Sequence, residues 1–95
     1  MLAITYDEEK RLVNLAKHRI DFADAGLVFD GVTYDFEDRR KDFGETRMIS
    51  IGQLIGRMVM VVWTERSESR RIISMRKCND REQALYRPRF PQGRA

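Results

Sequence analysis

The run MVMVVW at residues 58–63 constrains this chain more than any other stretch. It is far short of the ~20 apolar residues that cross a bilayer. Bounded by IGR before it and TER after it, it reads as a nearly continuous apolar strand suited to the middle of a sheet. Candidate neighbours lie on either side in the sequence. TRMISIGQLI (residues 46–55) alternates Met48, Ser50 and Gly52 against Ile49, Ile51 and Gln53, and IGR forms a hairpin turn. After the tight turn SES, RRIISMRKC (residues 70–78) makes a further strand. Strict alternation there sets Arg71, Ile73, Met75 and Lys77 on one face, with Arg70, Ile72, Ser74 and Arg76 on the other. Three strands joined by short turns predict an antiparallel meander. VTYDFED (residues 32–38) adds a strand before the charged turn RRKDFGE, and LAITY (residues 2–6) a short first one.

Between the first two of these strands the period is helical. YDEEKRLVNLAKH (residues 6–18) opens with Asp7 as cap, although Lys10 stands where a capping box needs Glu or Gln. Glu8 and Glu9 in the first turn and Lys17 and His18 in the last suit the helix dipole. Leu12, Val13, Leu15 and Ala16 are expected to bury. DFADAGLVFD (residues 21–30), capped by Asp21 and ended by Gly31, places Phe22, Ala25, Val28 and Phe29 at helical spacing. NDREQALY (residues 79–86), capped by Asn79 or Asp80, makes a short last helix, and RPRFPQGRA holds both prolines without periodicity. The order predicts an α+β domain over residues 1–87, with two N-terminal helices on one sheet face and a short C-terminal helix. Residues 88–95 are expected to be a flexible tail. Ninety-five residues suffice for one core and not for two.

One cysteine, Cys78, and one histidine, His18, cannot make an internal disulfide or a structural zinc site. Cys78 reads as a small buried hydrophobe. No cofactor motif is visible. With no signal-peptide or membrane-spanning pattern, a cytoplasmic protein is expected. Charge is lopsided: residues 1–65 carry nine Lys/Arg against twelve Asp/Glu, and residues 66–95 nine against three. A basic end of this kind suits a polyanion.

Two clusters can carry chemistry. Lys10, Asn14, Lys17 and His18 fall within one helical stripe at about 100° per residue. Its ordinary explanation is a solvated face with His18 as a dipole partner. The basic strand supplies Arg76, whose ordinary role is a salt bridge to Glu65 or Glu82, while Arg57 and Arg66 bracket the strand before it. If the clusters meet, they suit metal-free cleavage of RNA. That reaction needs a base for the 2′-hydroxyl, cations for the charge growing on the phosphoryl oxygens, and an acid for the leaving 5′-oxygen. Histidine serves as acid or base near neutral pH, arginine offers paired donors, and lysine a point charge. Tyr86 can stack on a base, assist proton transfer, or simply pack. A non-catalytic basic module for nucleic acid or an acidic protein fits the charge equally well.

The pieces YDEEKRLVNLAKHRIDFADAGLVFD, GETRMISIG, GRMVMVVWTER, RIISMRK and DREQALY, in that order, resemble the BrnT family of type II toxin–antitoxin toxins. The likeness runs from Tyr6 to Tyr86. It implies a RelE-like fold and a bacterial endoribonuclease that inhibits translation. It also implies a BrnA-like ribbon-helix-helix antitoxin, in a 2:2 heterotetramer, that neutralises the toxin and reaches operator DNA. The motif positions carried over are Asp7, Lys10, Asn14, Lys17, His18, Arg57, Glu65, Arg66, Arg71, Ser74, Arg76, Lys77, Arg81, Glu82 and Tyr86. Tyr6 replaces the family's usual Trp, Arg19 its usual Gly, and Met75 and Cys78 its usual small residues. On this reading Lys10, His18, Arg66, Arg76 and Tyr86 are the expected catalytic group. Asn14, Lys17, Arg57, Arg70, Arg71 and Lys77 are the expected RNA contacts, with no metal.

Overall fold

In the computed structural model, which describes residues 2–90, the elements follow in the order β1 (Ala3–Tyr6), α1 (Glu8–His18), α2 (Ala25–Asp30), β2 (Tyr34–Glu37), β3 (Met48–Leu54), β4 (Arg57–Arg66), β5 (Ser69–Lys77) and α3 (Asp80–Tyr86). The fold is α+β. The five strands form one sheet in the order β1-β5-β4-β3-β2. β4, the apolar run, is indeed central. The β2–β3–β4–β5 part is antiparallel, but β1 lies parallel to β5, so the sheet is mixed where a purely antiparallel one was expected. The reason is connectivity: α1, α2 and three strands intervene between β1 and β5, which frees their relative direction.

Each sheet face has its own core. Ile20, Phe22, Ala25 and Val28 pack over Val59, Val61, Trp63, Ile72 and Met75 on the first. The expected second helix is broken here: Phe22–Asp24 is a 3-10 turn that leads into α2. Gly52 of β3 permits the closeness of α2, because a Cβ there would stand 2.7 Å from Val28 Cγ1. On the second face Ile49, Ile51, Met58, Met60, Val62 and Cys78 cluster with Tyr34, Phe36, Tyr86 and Phe90. Arg87–Arg89 continue α3 as a 3-10 turn and Phe90 packs on this core, so residues 88–90 are structure where a flexible tail was expected. The rest of that expected tail, 91–95, lies outside the described residues. Among the described residues no helix is long and apolar enough to cross a membrane.

α1 departs from expectation. Its only buried residue is Asn14, while Leu12 and Val13 are 52% and 66% exposed. The helix covers an edge and not a face. β1 pairs with β5 only as far as Ile72, which leaves the outer edge of β5 bare beyond that point. Asn14 fills the gap: its Nδ2 donates to Met75 O (2.8 Å) and Ile20 O (3.1 Å), and its Oδ1 accepts from Met75 N. One side-chain amide thus replaces a missing strand's peptide group.

The hairpin tips are tight. Ile55, 83% exposed, sits at φ 49° before Gly56 at φ 78°. A β-branched residue in the left-handed region is strained by about 1–2 kcal/mol, and Asn suits this turn far better. Ile55→Asn is expected to stabilise the protein by about 1 kcal/mol, raising Tm by several degrees in a thermal melt. An unchanged or lower Tm would refute the strain assignment.

Candidate functional site

β5 is irregular, and the irregularity builds the site. Trp63 pairs with Ile72 but Val62 pairs with Ser74, so Ile73 is an extra, bulged residue. Past it the alternation shifts by one. Arg71, Ser74 and Arg76 therefore share the face of Val62 and Met60, while Arg70, Ile72 and Met75 share the face of Trp63. The unbroken alternation expected of the sequence separates Arg71 from Arg76; the bulge unites them.

Two open clefts lie along β5, Ser74 lining one and Arg76 the other. The first, about 460 Å³, lies between α1 and β5 and is lined by Glu9, Lys10, Val13, Asn14, Lys17, His18, Ile73 and Ser74. The second, about 450 Å³, is floored by Ile49 and Met60 and walled by Phe36, residues 37–40, Arg76, Glu82 and Tyr86. Arg76 is held by Glu82 through two bonds of 2.9 and 2.7 Å. Glu82 also accepts Asn79 N–H while Asn79 accepts Glu82 N–H, a capping box that starts α3. The carboxylate raises the Arg76 pKa, and the guanidinium in turn lowers that of Glu82.

Arg76 acts on both clefts. Partial burial, Lys17 and then Arg76 hold the His18 imidazole below its usual pKa, so it is neutral at pH 7. Burial, then Glu82, pushes the Tyr86 phenol up, so its proton is retained. Lys10 and Lys17 are exposed on the rim of the first cleft.

Other expected site residues lie elsewhere. Asn14 is spent on backbone groups, as described. Arg66 is bound to Glu45 (3.0 Å) at the far end of β4, six residues along from Met60, which pairs Arg76. At ~3.3 Å per residue that is about 20 Å away. Arg70 lies across the sheet, its guanidinium 4.0 Å from the Phe29 ring centroid and 5.0 Å from Trp63. Arg71 lies on the Arg76 face but opposite Thr64, towards Arg66. Arg57 and Lys77 line a third cleft with Asp80, Gln83 and Arg87. Cys78 is buried and desolvation pushes its thiol up to about 11, which makes it inert as a nucleophile. Among the described residues no group of three or more His, Cys, Asp or Glu could hold a metal ion.

Sequence reasoning missed Arg40 and Asp38. RRKDFGE reads as a charged turn, and only the fold brings its second arginine beside Arg76. The lone signal was the run EDRR at residues 37–40, two acids followed by two arginines.

Residues 6–82 match the family model described as ribonuclease toxin, BrnT, of type II toxin-antitoxin system. Among solved structures, the 1.1 Å crystal structure of the Brucella abortus ribonuclease toxin BrnT is similar with a TM-score of 0.67 and 27% identity. That match covers 84% of this chain and 100% of the other. No curated protein sequence matches the chain.

Proposed function

The chain belongs to the BrnT family of ribonuclease toxins of type II toxin–antitoxin systems, and from that premise we propose that it cuts RNA without a metal ion, between the two clefts. One observation carries this: β5 sets Ser74, in the wall of the His18 cleft, and Arg76, in the wall of the Tyr86 cleft, two residues apart on one face of the sheet. His18 takes the proton of a 2′-hydroxyl, and the 2′-oxygen attacks phosphorus. Arg76 stabilises the charge on the phosphoryl oxygens, with Lys10 and Lys17 as further cations. The bond from phosphorus to the 5′-oxygen breaks, and Tyr86 gives that oxygen its proton. The products are a 2′,3′-cyclic phosphate and a 5′-hydroxyl. Arg57, Arg71 and Lys77 are left as more distant RNA contacts, Arg70 packs between aromatic rings, Arg66 serves an ion pair, and Asn14 is structural.

In the cell this activity inhibits translation in the cytoplasm, the fold serving as a RelE-like ribonuclease scaffold. A BrnA-like ribbon-helix-helix antitoxin neutralises it in a 2:2 assembly and links it to operator DNA. The exposed Leu12 and Val13 of α1 support a protein partner over that helix.

Incubating the purified protein with single-stranded RNA in EDTA tests the reading. Cut ends bearing cyclic phosphate are expected, and a 2′-deoxy nucleotide at the cut must block them. Binding without cut ends would favour a plain binding module. Because His18 acts unprotonated and its pKa is lowered, kcat/KM is expected to hold at neutral pH. It should fall in acid, with a midpoint below about pH 6.5, and again only in strong alkali where Tyr86 loses its proton. His18→Ala should slow cleavage about 10²–10⁴-fold and abolish that acid limb. A variant with the wild-type pH profile would show that another group is the base.

A further inference from the structure

The second cleft holds two features that the cleavage chemistry leaves unused. The first is Asp38, whose side chain is 1% exposed beneath an Arg40 side chain that is 67% exposed. Arg40 Nε reaches Asp38 Oδ1 at 2.7 Å and Nη2 reaches Oδ2 at 2.6 Å, while the backbone N–H of Arg40 adds a third bond. The Arg40 hydrogen bonds outweigh the burial of Asp38 and hold its carboxyl below the usual carboxylate range, so it stays ionised beneath the guanidinium. What the pair secures is position: the guanidinium stands fixed in solvent with Nη1 uncommitted. Arg40 and Arg76 line the same cleft, where two like charges oppose one another. Two anchored arginines that repel one another are relieved by an anion between them.

The second feature is aromatic. Phe36 of β2 is half-buried beside Arg40, with its ring centroid 5.8 Å from Tyr86 and nearly parallel to it (24°). Tyr34 supports it from the neighbouring same-face position at 5.4 Å. Packed on the second core between Tyr34 and Tyr86, the Phe36 ring has little freedom to lose on stacking.

We propose that this cleft is a nucleotide subsite: the Phe36 ring stacks one base flanking the cut, and Asp38-anchored Arg40 holds the phosphate beside it. The proposal rests on the RNA-cleavage reading and deepens it. Phe36 and Arg40 would set affinity and base preference next to the cut, whereas His18, Arg76 and Tyr86 carry the bond change.

The test uses the full chain, a single-stranded RNA of mixed sequence, and an all-2′-deoxy oligonucleotide as uncleavable binding probe. Phe36→Leu removes the ring at similar bulk, and Phe36→Tyr keeps it. We expect Phe36→Leu to raise KM and weaken probe binding by roughly 5- to 100-fold, the usual worth of one stacked base. Its kcat should change little, its cut-site preference should flatten, and Phe36→Tyr should behave as wild type. Should Phe36→Leu fail to fold by circular dichroism, Arg40→Lys decides: it keeps a cation over Asp38 but loses the fork, and is expected to weaken probe binding several-fold. A wild type that cuts RNA, with variants matching its KM, probe affinity and cut sites, overturns the subsite alone. A wild type that neither binds the probe nor cuts RNA overturns the parent reading and the subsite with it.

Discussion

Arg76→Ala is expected to slow RNA cleavage by about 10²–10³-fold or more, the usual cost of removing a preorganised donor from a developing oxyanion. The effect should fall on the single-turnover rate more than on binding, because Lys10, Lys17 and Arg40 remain as cations around the clefts. The fold should survive. Arg76 is part-exposed, and Glu82 keeps its bond from Asn79 N–H, so α3 retains its cap when the guanidinium is gone. Arg76→Lys should recover only part of the rate, since an ammonium restores charge without the paired donors. Circular dichroism and single-turnover cleavage together decide the matter. Wild-type cleavage by a folded Arg76→Ala protein would remove Arg76 from the mechanism.

The largest stability effect is expected at Asn14. Asn14→Ala deletes three hydrogen bonds and leaves Met75 N–H, Met75 C=O and Ile20 C=O without their partner. At ~1 kcal/mol per bond, with more for each buried group left bare, the loss is about 3 kcal/mol. In a chain of this size that lowers Tm by roughly 12–20 °C. Asn14→Asp should be about as damaging near neutral pH, because a carboxylate cannot donate to the two carbonyls and repels them. A thermal melt within a few degrees of wild type for Asn14→Ala would show that water replaces the clasp.

Much of the fold was legible because its signals are local. The apolar run of β4, the alternation of β3, the Ile55–Gly56 turn and the Asp7 and Asn79 caps each depend on neighbours in sequence. The failures depend on partners far along the chain. Nothing within LAITY says whether β1 runs parallel or antiparallel to a strand 66 residues later, as Ala3 does beside Ser69. Helical periodicity cannot tell that α1 would seal an edge, which inverts the expected roles of Leu12 and Asn14. The site was legible in part for the same reason. Lys10, Lys17 and His18 do share one cleft wall, as their spacing implies. A single bulged residue, Ile73, defeats alternation and decides which arginines stand together. Arg40 enters only through the fold.

Glu82 has a consequence that reaches into how such a protein can evolve. The same carboxylate closes the first turn of α3 and aims Arg76. For the cap alone, Gln would serve at this position much as Glu does. Here that exchange would also loosen Arg76, the proposed partner of the scissile phosphate. Tolerance to substitution at this position is therefore borrowed from the chemistry, and mutational paths that would improve the helix are closed while toxicity is under selection.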